Sequence, residues 1–82
     1  MKQFLYFSAT WCGPCKQYKS TLLQLGPDIN IKHYDVNQYP QETERYAIKN
    51  VPTMILEVNG QEKVRMVGVK SAAELTEIYN KY

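Results

Sequence analysis

Hydrophobic positions early in the chain follow first a strand pattern and then a helix pattern. The segment Lys2–Ala9 contains four consecutive apolar or aromatic residues, Phe4–Phe7, and no charge interrupts that run. A run of this kind indicates a central strand that is buried on both faces. In Lys16–Leu25 the apolar residues recur at helical spacing, and Gly26-Pro27 follows them. This pattern predicts a helix that ends before the Gly-Pro pair.

The middle of the chain predicts another strand and a short helix. The composition of Ile29–Val36 indicates a strand. Pro40 suits the first turn of a helix, because its missing N–H needs no partner there. We expect this helix to end near Tyr46 or Ile48.

A hairpin is predicted next. The segment Thr53–Val58 is rich in strand formers, and Gln61–Val67 is predicted to be its return strand. Between them, Asn59-Gly60 is the strongest two-residue signal for a tight hairpin turn. The pair therefore predicts two antiparallel strands.

The chain is predicted to end as a helix. Ser71 lies three residues before Glu74, and this spacing predicts a capping box at the start of the helix. Four residues of the helix are expected on one buried face: Leu75, Ile78, Tyr79 and Tyr82. The predicted order is β-α-β-α-β-β-α, and strand-helix-strand connections favour right-handed parallel pairing. We therefore expect an α/β fold with a four-stranded mixed sheet, three flanking helices and one domain spanning residues 1–82.

Composition and charge exclude several classes of protein. The chain has 82 residues, of which 44% are hydrophobic and 22% charged, with a formal net charge of +2. This balance is typical of a globular domain and gives no reason to expect nucleic-acid or membrane binding. Met1-Lys2-Gln3 is not followed by an apolar segment of signal-peptide length. We therefore expect a cytoplasmic protein without a membrane span.

The strongest chemical signal is a pair of cysteines two residues apart, Cys12 and Cys15, between a buried strand and a helix. At this position Cys12 is expected at the helix N-terminus, beside unsatisfied N–H groups and the positive end of the helix dipole. Such a site stabilises a thiolate, which is the attacking form of cysteine. Cys15 is expected one turn further, shielded from solvent. The spacing predicts that Cys12 attacks a disulfide and Cys15 resolves the product.

Two plainer interpretations of the cysteines fit less well. A structural zinc ion needs four ligands, and His33 is the only histidine beside the two cysteines. No bound metal is expected. A pair of inert core cysteines would not explain the helix-start position or the Gly13-Pro14 spacer. Redox use of the pair is the favoured interpretation.

The sequence from Trp11 to Cys15, Trp-Cys-Gly-Pro-Cys, resembles the active-site signature of the thioredoxin family. The segment Val51-Pro52-Thr53 resembles the family's cis-proline loop. Asn59-Gly60 resembles its hairpin turn, and Gly68 resembles the glycine beside its active site. The resemblance covers the whole chain and implies a thioredoxin-like fold. The chain is similar to a short, minimal thioredoxin that lacks the N-terminal strand and helix of most members.

The resemblance also implies a substrate-binding surface around Cys12. Its expected members, with Val69 at the margin, are Trp11, Gly13, Pro14, Val51, Pro52 and Gly68. In the family the proline bond is cis, and the backbone of the residue before it pairs with an extended substrate segment. Taken singly, Trp11 is equally compatible with a core position.

Two positions depart from the family's pattern. Thioredoxins commonly place a buried aspartate six residues before the first cysteine and a lysine on the neighbouring strand. The corresponding residues here are Tyr6 and His33. We expect Tyr6 to be a core residue with a satisfied hydroxyl, and His33 to be a half-exposed strand residue whose side chain points outward. The acceptor for the Cys15 proton is left open.

Taken together, the resemblance implies a protein thiol-disulfide oxidoreductase that works through a mixed disulfide. No cofactor beyond the Cys12-Cys15 disulfide is expected. The implied partners are a thioredoxin reductase and protein disulfides such as that of ribonucleotide reductase, with the protein acting as a monomer.

Two alternative functions stay open. A glutathione-dependent, glutaredoxin-like enzyme is one, although the segment from Gly68 to Ser71 lacks that family's Gly-Gly and Asp pattern. A non-catalytic binding subunit with the thioredoxin fold is the other. Replacing both Cys12 and Cys15 distinguishes the second alternative from an enzyme.

Overall fold

The computed structural model describes all residues 1–82. Seven elements follow one another along the chain: β1 (Lys2–Ser8), α1 (Gly13–Leu22), β2 (Ile31–Asp35), α2 (Pro40–Arg45), β3 (Thr53–Val58), β4 (Gln61–Val67) and α3 (Ala72–Lys81). The predicted order β-α-β-α-β-β-α is confirmed.

The four strands form one mixed sheet in the order β2-β1-β3-β4. Strands β1 and β2 are parallel, with Tyr6 opposite His33 and Ser8 opposite Asp35. Strand β3 is antiparallel to both β1 and β4. The predicted four-stranded mixed sheet is therefore confirmed, with β1 as a central strand.

The core lies on both faces of the sheet, because alternate residues of β1 point in opposite directions. Phe4 and Tyr6 pack with Tyr18 of α1 and with Leu75 and Tyr79 of α3. On the other face, a second cluster of Leu5, Phe7, Tyr34 and Ile55 packs against Tyr46 and Ile48 at the end of α2. Helices α1 and α3 thus cover one face and α2 the other.

Helix α1 begins at Gly13, directly after Cys12 as predicted, and ends at Leu22 instead of Leu25. Proline fits the first turn of a helix, so Pro14 does not delay the start. At the other end, the N–H of Leu25 donates to the carbonyl of Leu22 at 3.2 Å. This i to i−3 bond marks a tight turn that no longer continues the α-helix.

Helix α2 stops at Arg45 because the chain enters a left-handed cap, whereas the sequence suggested an end at Tyr46 or Ile48. Ala47 has φ 53°. The N–H of Ile48 donates to the Thr43 carbonyl at 2.9 Å, and the N–H of Ala47 donates to the Glu44 carbonyl at 3.0 Å. These two bonds satisfy carbonyl groups at the helix end. Glycine is the usual residue at the left-handed position of such a cap, which Ala47 occupies here.

Strand β2 is shorter at both ends than the predicted Ile29–Val36, and β1 ends at Ser8, one residue before Ala9. Helix α3 begins after Ser71 as predicted, because the Ser71 hydroxyl accepts the N–H of Glu74 at 3.1 Å. Tyr82 was expected on the buried face, but it follows the last turn and is 47% exposed. That expectation is wrong because the helix ends before Tyr82 can pack.

The hairpin between β3 and β4 has the predicted bounds. Asn59 and Gly60 have φ values of 53° and 83°. Two consecutive positive φ values match the turn whose twist fits a two-residue hairpin, and Asn-Gly is the pair that adopts it most easily.

None of the three helices has the length and hydropathy needed to cross a membrane.

Candidate active site

The two cysteines lie where β1 turns into α1. Cys12 is the N-cap residue of the helix, with extended backbone angles. Its N–H donates to the Ala9 carbonyl at 3.2 Å, and its Sγ accepts the N–H of Cys15 at 3.2 Å. Their Cα atoms are 5.3 Å apart and a disulfide joins the two residues. The predicted helix-start position of Cys12 is therefore confirmed.

The helix N-terminus provides a positive environment for the sulfur of Cys12. Helix α1 has ten residues, and no acidic residue lies in its first turn. The aligned peptide dipoles place a partial positive charge at this end, and an N–H group points at Sγ. In the oxidised state Cys12 is 4% exposed and Cys15 is 5% exposed. Reduction of the disulfide would leave the Cys12 sulfur beside this donor and the positive end of the helix.

The surface around Cys12 is partly apolar and open to solvent. Trp11 is 70% exposed, so it is a surface residue and not part of the core. Gly13 and Pro14 are exposed beside it. A cavity of about 290 Å³ lies next to Trp11, and Val51 forms part of its wall. An exposed aromatic ring beside an apolar cavity is a feature of docking surfaces.

The cis-proline loop borders the same surface. The Val51–Pro52 bond is cis, as the resemblance implied. The carbonyl of Pro52 accepts the N–H of Gly68 at 2.9 Å, and Gly68 has φ 92°. This bond joins the loop before β3 to the loop after β4. Val51 and Gly68 are half-buried while Pro52 is buried.

Tyr6 lies beneath Cys15 with its hydroxyl satisfied, as expected. It is 1% exposed, and its hydroxyl donates to the Cys15 carbonyl at 3.2 Å. The pKa of Tyr6 is raised to about 12, mainly by burial and to a lesser extent by the neighbouring Tyr18, while the Ser8 hydroxyl opposes the rise. Tyr6 therefore remains protonated at neutral pH and cannot accept a proton.

The position of His33 differs from the sequence-based expectation. His33 is exposed, as is common on an edge strand, but its ring lies against Ser8 and Tyr6 and so faces the site. The His33 Nε2 is 2.7 Å from the Ser8 Oγ, and its ring centroid is 4.7 Å from that of Tyr6. Partial burial lowers the pKa of His33, the Asp35 carboxylate opposes this effect, and Lys19 adds to it.

A cleft of about 520 Å³ opens between α1 and the β2 edge of the sheet. We call it the Cys15 cleft, and its wall includes Tyr6, Ser8, Cys15, Lys19, His33 and Asp35. Ser8 was not singled out from the sequence. Its contact with His33 spans 25 positions of the chain, and only the parallel register of β1 and β2 brings the two side chains together.

Groups that could bind a metal ion do not cluster in the structure. No three or more His, Cys, Asp and Glu side chains converge in a way that could hold one.

Comparison with known proteins relates the chain to one protein family. The family model Thioredoxin matches residues 2–81. Thioredoxin from Chlamydia trachomatis serovar D is 35% identical over 79 residues, which cover 93% of this chain and 78% of that protein. A thioredoxin-like protein from Synechocystis sp. is 40% identical over 73 residues, covering 84% of this chain and 70% of that protein.

A solved structure extends the similarity to the fold. Mitochondrial thioredoxin 3 from Saccharomyces cerevisiae, in its oxidised form, matches with a TM-score of 0.84 and 28% sequence identity. The match covers 99% of this chain and 78% of the yeast chain. Sequence and fold thus agree over nearly the whole chain.

Proposed function

Because this chain belongs to the thioredoxin family of thiol-disulfide oxidoreductases, we propose that it reduces disulfides of other proteins in two steps. In the first step the Cys12 thiolate attacks the substrate disulfide and a mixed disulfide forms. In the second step Cys15 attacks Cys12, releases the reduced substrate and leaves the Cys12-Cys15 disulfide. A single domain of residues 1–82 carries out both steps.

One observation carries the assignment of these roles. Cys12 caps helix α1 and its sulfur already accepts the Cys15 N–H at 3.2 Å. A helix N-terminus stabilises a negative charge, and a hydrogen bond to a thiolate favours the charged form. Cys15 lies inside the first turn and has no comparable environment. The attacking role of Cys12 follows from this difference.

The residues around Cys12 are proposed to bind the substrate. Trp11, Gly13 and Pro14 provide an exposed surface on one side of the disulfide. On the other side, Val51 has no backbone hydrogen bond within the chain. A free N–H and carbonyl can pair with an extended peptide in the manner of an added strand.

Pro52 and Gly68 are proposed to shape the same surface. The bond between the Gly68 N–H and the Pro52 carbonyl holds their two loops together. Gly68 has a positive φ that a residue with a side chain rarely adopts.

The proposed partners follow from family membership. A thioredoxin reductase returns electrons to the Cys12-Cys15 pair, and protein disulfides such as that of ribonucleotide reductase accept them. The protein is proposed to act in the cytoplasm as a monomeric electron carrier, with the redox-active disulfide as its only redox group.

Trapping of the mixed disulfide tests the proposal. Reduced Cys15→Ser is expected to form a stable mixed disulfide with a disulfide-bonded substrate peptide, since the resolving thiol is missing. Limited alkylation of the reduced wild-type protein near pH 7 is expected to modify Cys12 first. Mass spectrometry of proteolytic fragments identifies the modified residue in both experiments.

The matched control is Cys12→Ser, which is expected to form no mixed disulfide. Alkylation of Cys15 before Cys12 would reverse the assigned roles. Turnover with NADPH and a thioredoxin reductase, compared with turnover with glutathione, distinguishes the proposed function from a glutaredoxin-like one.

A further inference from the structure

We propose that His33, held in place by Ser8, accepts the proton of the Cys15 thiol when Cys15 resolves the mixed disulfide. Water in the Cys15 cleft carries the proton between the two residues. This inference rests on the proposed function, because it concerns the second of its two steps.

The resolving step needs a base close to Cys15. A thiolate is the nucleophile in disulfide exchange, and a free thiol has an ordinary pKa of about 8.5. Cys15 packs with Ala9 and Cys12 and is only 5% exposed. Burial of this kind disfavours the charged sulfur, so few Cys15 thiols would be ionised at neutral pH without a local acceptor.

Among the ionisable groups on the wall of the Cys15 cleft, His33 is the suitable proton acceptor. The ionisable groups on the wall of the cleft come from β1, α1, β2 and the segment before α2, and they are Tyr6, Cys15, Lys16, Lys19, Asp35 and Tyr39. A lysine ammonium has no lone pair, and a phenol at neutral pH is protonated. A carboxylate is a weaker base than an imidazole. A lowered pKa keeps His33 neutral at pH 7, with a lone pair available.

Two hydrogen bonds and one ring contact place His33 beside the elements that hold Cys15. Side chains two residues apart on a strand lie on the same face, so Tyr6 and Ser8 both face α1. The Tyr6 hydroxyl reaches the Cys15 carbonyl at 3.2 Å, and the Ser8 hydroxyl reaches His33 Nε2 at 2.7 Å. The His33 ring also packs against Tyr6. Ser8 is therefore a positioning residue that fixes the imidazole on the Cys15 side of the sheet.

The Cys15 cleft has room for the connecting water. Its volume is about 520 Å³, whereas one water occupies about 30 Å³ in the liquid. The hydroxyl of Ser8 and the imidazole of His33 supply polar partners on its wall. A water needs two to four such partners to be held.

The proposed step balances in atoms and electrons. The Cys15 sulfur bonds to the Cys12 sulfur, and the bond between Cys12 and the substrate sulfur breaks. The bonding pair leaves with the substrate sulfur, which is thereby reduced. The Cys15 sulfur is oxidised in exchange, and Cys12 stays at the disulfide level throughout the step. The Cys15 proton passes through water to His33 and then to the departing substrate thiolate.

The test is the rate of mixed-disulfide resolution as a function of pH. Reduced protein is mixed with a disulfide-bonded peptide in a single turnover, quenched with acid at set times and analysed by mass spectrometry. In the wild type the rate constant is expected to rise to a plateau with a midpoint below pH 6.5. In His33→Gln the plateau is expected to disappear, with about 100-fold slower resolution at pH 7.

Ser8→Ala and Lys32→Gln complete the set of variants. Ser8→Ala is expected to slow resolution less than His33→Gln, because the imidazole is still present but no longer held. Lys32 is the exposed neighbour of His33 on the opposite face of β2, and Lys32→Gln is expected to keep the wild-type profile. Formation of the mixed disulfide, which reports the first step, is expected to change less than about three-fold in every variant.

Chemical rescue separates proton transfer from a structural effect. Because the cleft can admit a small molecule, added imidazole is expected to accelerate resolution in His33→Ala in proportion to its concentration. Wild-type rates and an unchanged pH profile in His33→Gln would overturn the inference, as would absence of rescue in a folded His33→Ala. Failure of Cys15→Ser to trap a substrate on Cys12 would instead overturn the proposed function.

Discussion

Replacement of Tyr18 by phenylalanine is expected to leave the fold equally stable or more stable, whereas the same change at Tyr6 is expected to destabilise it. The two rings are both buried and meet edge to face, with centroids 5.3 Å apart. Their hydroxyl groups differ. Tyr6 donates to the Cys15 carbonyl at 3.2 Å, but the Tyr18 hydroxyl is buried without a hydrogen-bond partner.

The magnitudes follow from what each hydroxyl loses or gains on folding. A typical hydrogen bond contributes about 1 kcal/mol, which Tyr6→Phe would remove. A buried hydroxyl without a partner costs about 1 to 3 kcal/mol, and Tyr18→Phe would relieve that cost. The free energies of unfolding of the two variants should therefore differ by about 2 kcal/mol or more. In a domain of this size each kcal/mol shifts the melting temperature by about 4 to 8 °C.

Denaturant unfolding of the oxidised protein at one temperature measures both free energies, with the double variant to test additivity. The ring pair is retained in every variant, so packing is held constant. Equal destabilisation by the two substitutions would refute the reasoning. Burial raises the pKa of Tyr18 while the nearby Lys70 backbone lowers it, so the Lys70 N–H, donating to the Tyr18 hydroxyl oxygen, would then be the partner to examine.

Two further predictions concern the start of helix α3 and His33 on the edge strand β2. Ser71→Ala removes the acceptor of the Glu74 N–H and is expected to lower the free energy of unfolding by about 1 kcal/mol. A denaturant midpoint equal to that of the wild type would contradict this prediction. Ser71→Asp, which keeps an acceptor, is the matched control. The pKa of His33 is lowered from 6.5 in the folded protein, so the unfolded chain binds more protons between that lowered pKa and 6.5. Stability should therefore fall as the pH decreases through this window, and His33→Gln should flatten the profile there; an unchanged profile would count against the lowered pKa.

The sequence was informative where a short motif determines the backbone. Asn59-Gly60 identified the hairpin, and both of its strands have the predicted bounds. Helix ends were harder to predict, because they depend on single residues with unusual backbone angles. Ala47 ends α2 in a left-handed conformation for which the sequence contains no glycine signal. Helix α1 ends at Leu22, three residues before the predicted end at Leu25, and Gly26-Pro27 did not reveal this.

In the candidate site, too, one feature could be predicted from the sequence and another could not. Cys12 could be placed at a helix start from its neighbours in the sequence, because β1 and α1 are consecutive. The contact between Ser8 and His33 could not, since it depends on the parallel register of two strands with a helix between them. A shift of one residue in that register would turn the His33 side chain to the opposite face of the sheet.

The burial of Tyr6 suggests why an acceptor at the sheet edge suits this chain. A base directly beneath Cys15 would have to be ionised among apolar groups, and burying an unpaired charge costs several kcal/mol. That is a large fraction of the stability of a domain of 82 residues. Tyr6 occupies the buried position as a neutral group that hydrogen-bonds the backbone. His33, on the edge strand β2, is neutral until it receives the proton, and the open cleft then solvates the cation. Under the proposed assignment, the chain keeps a core without ionised groups beneath the disulfide and moves the proton to a residue that water can reach.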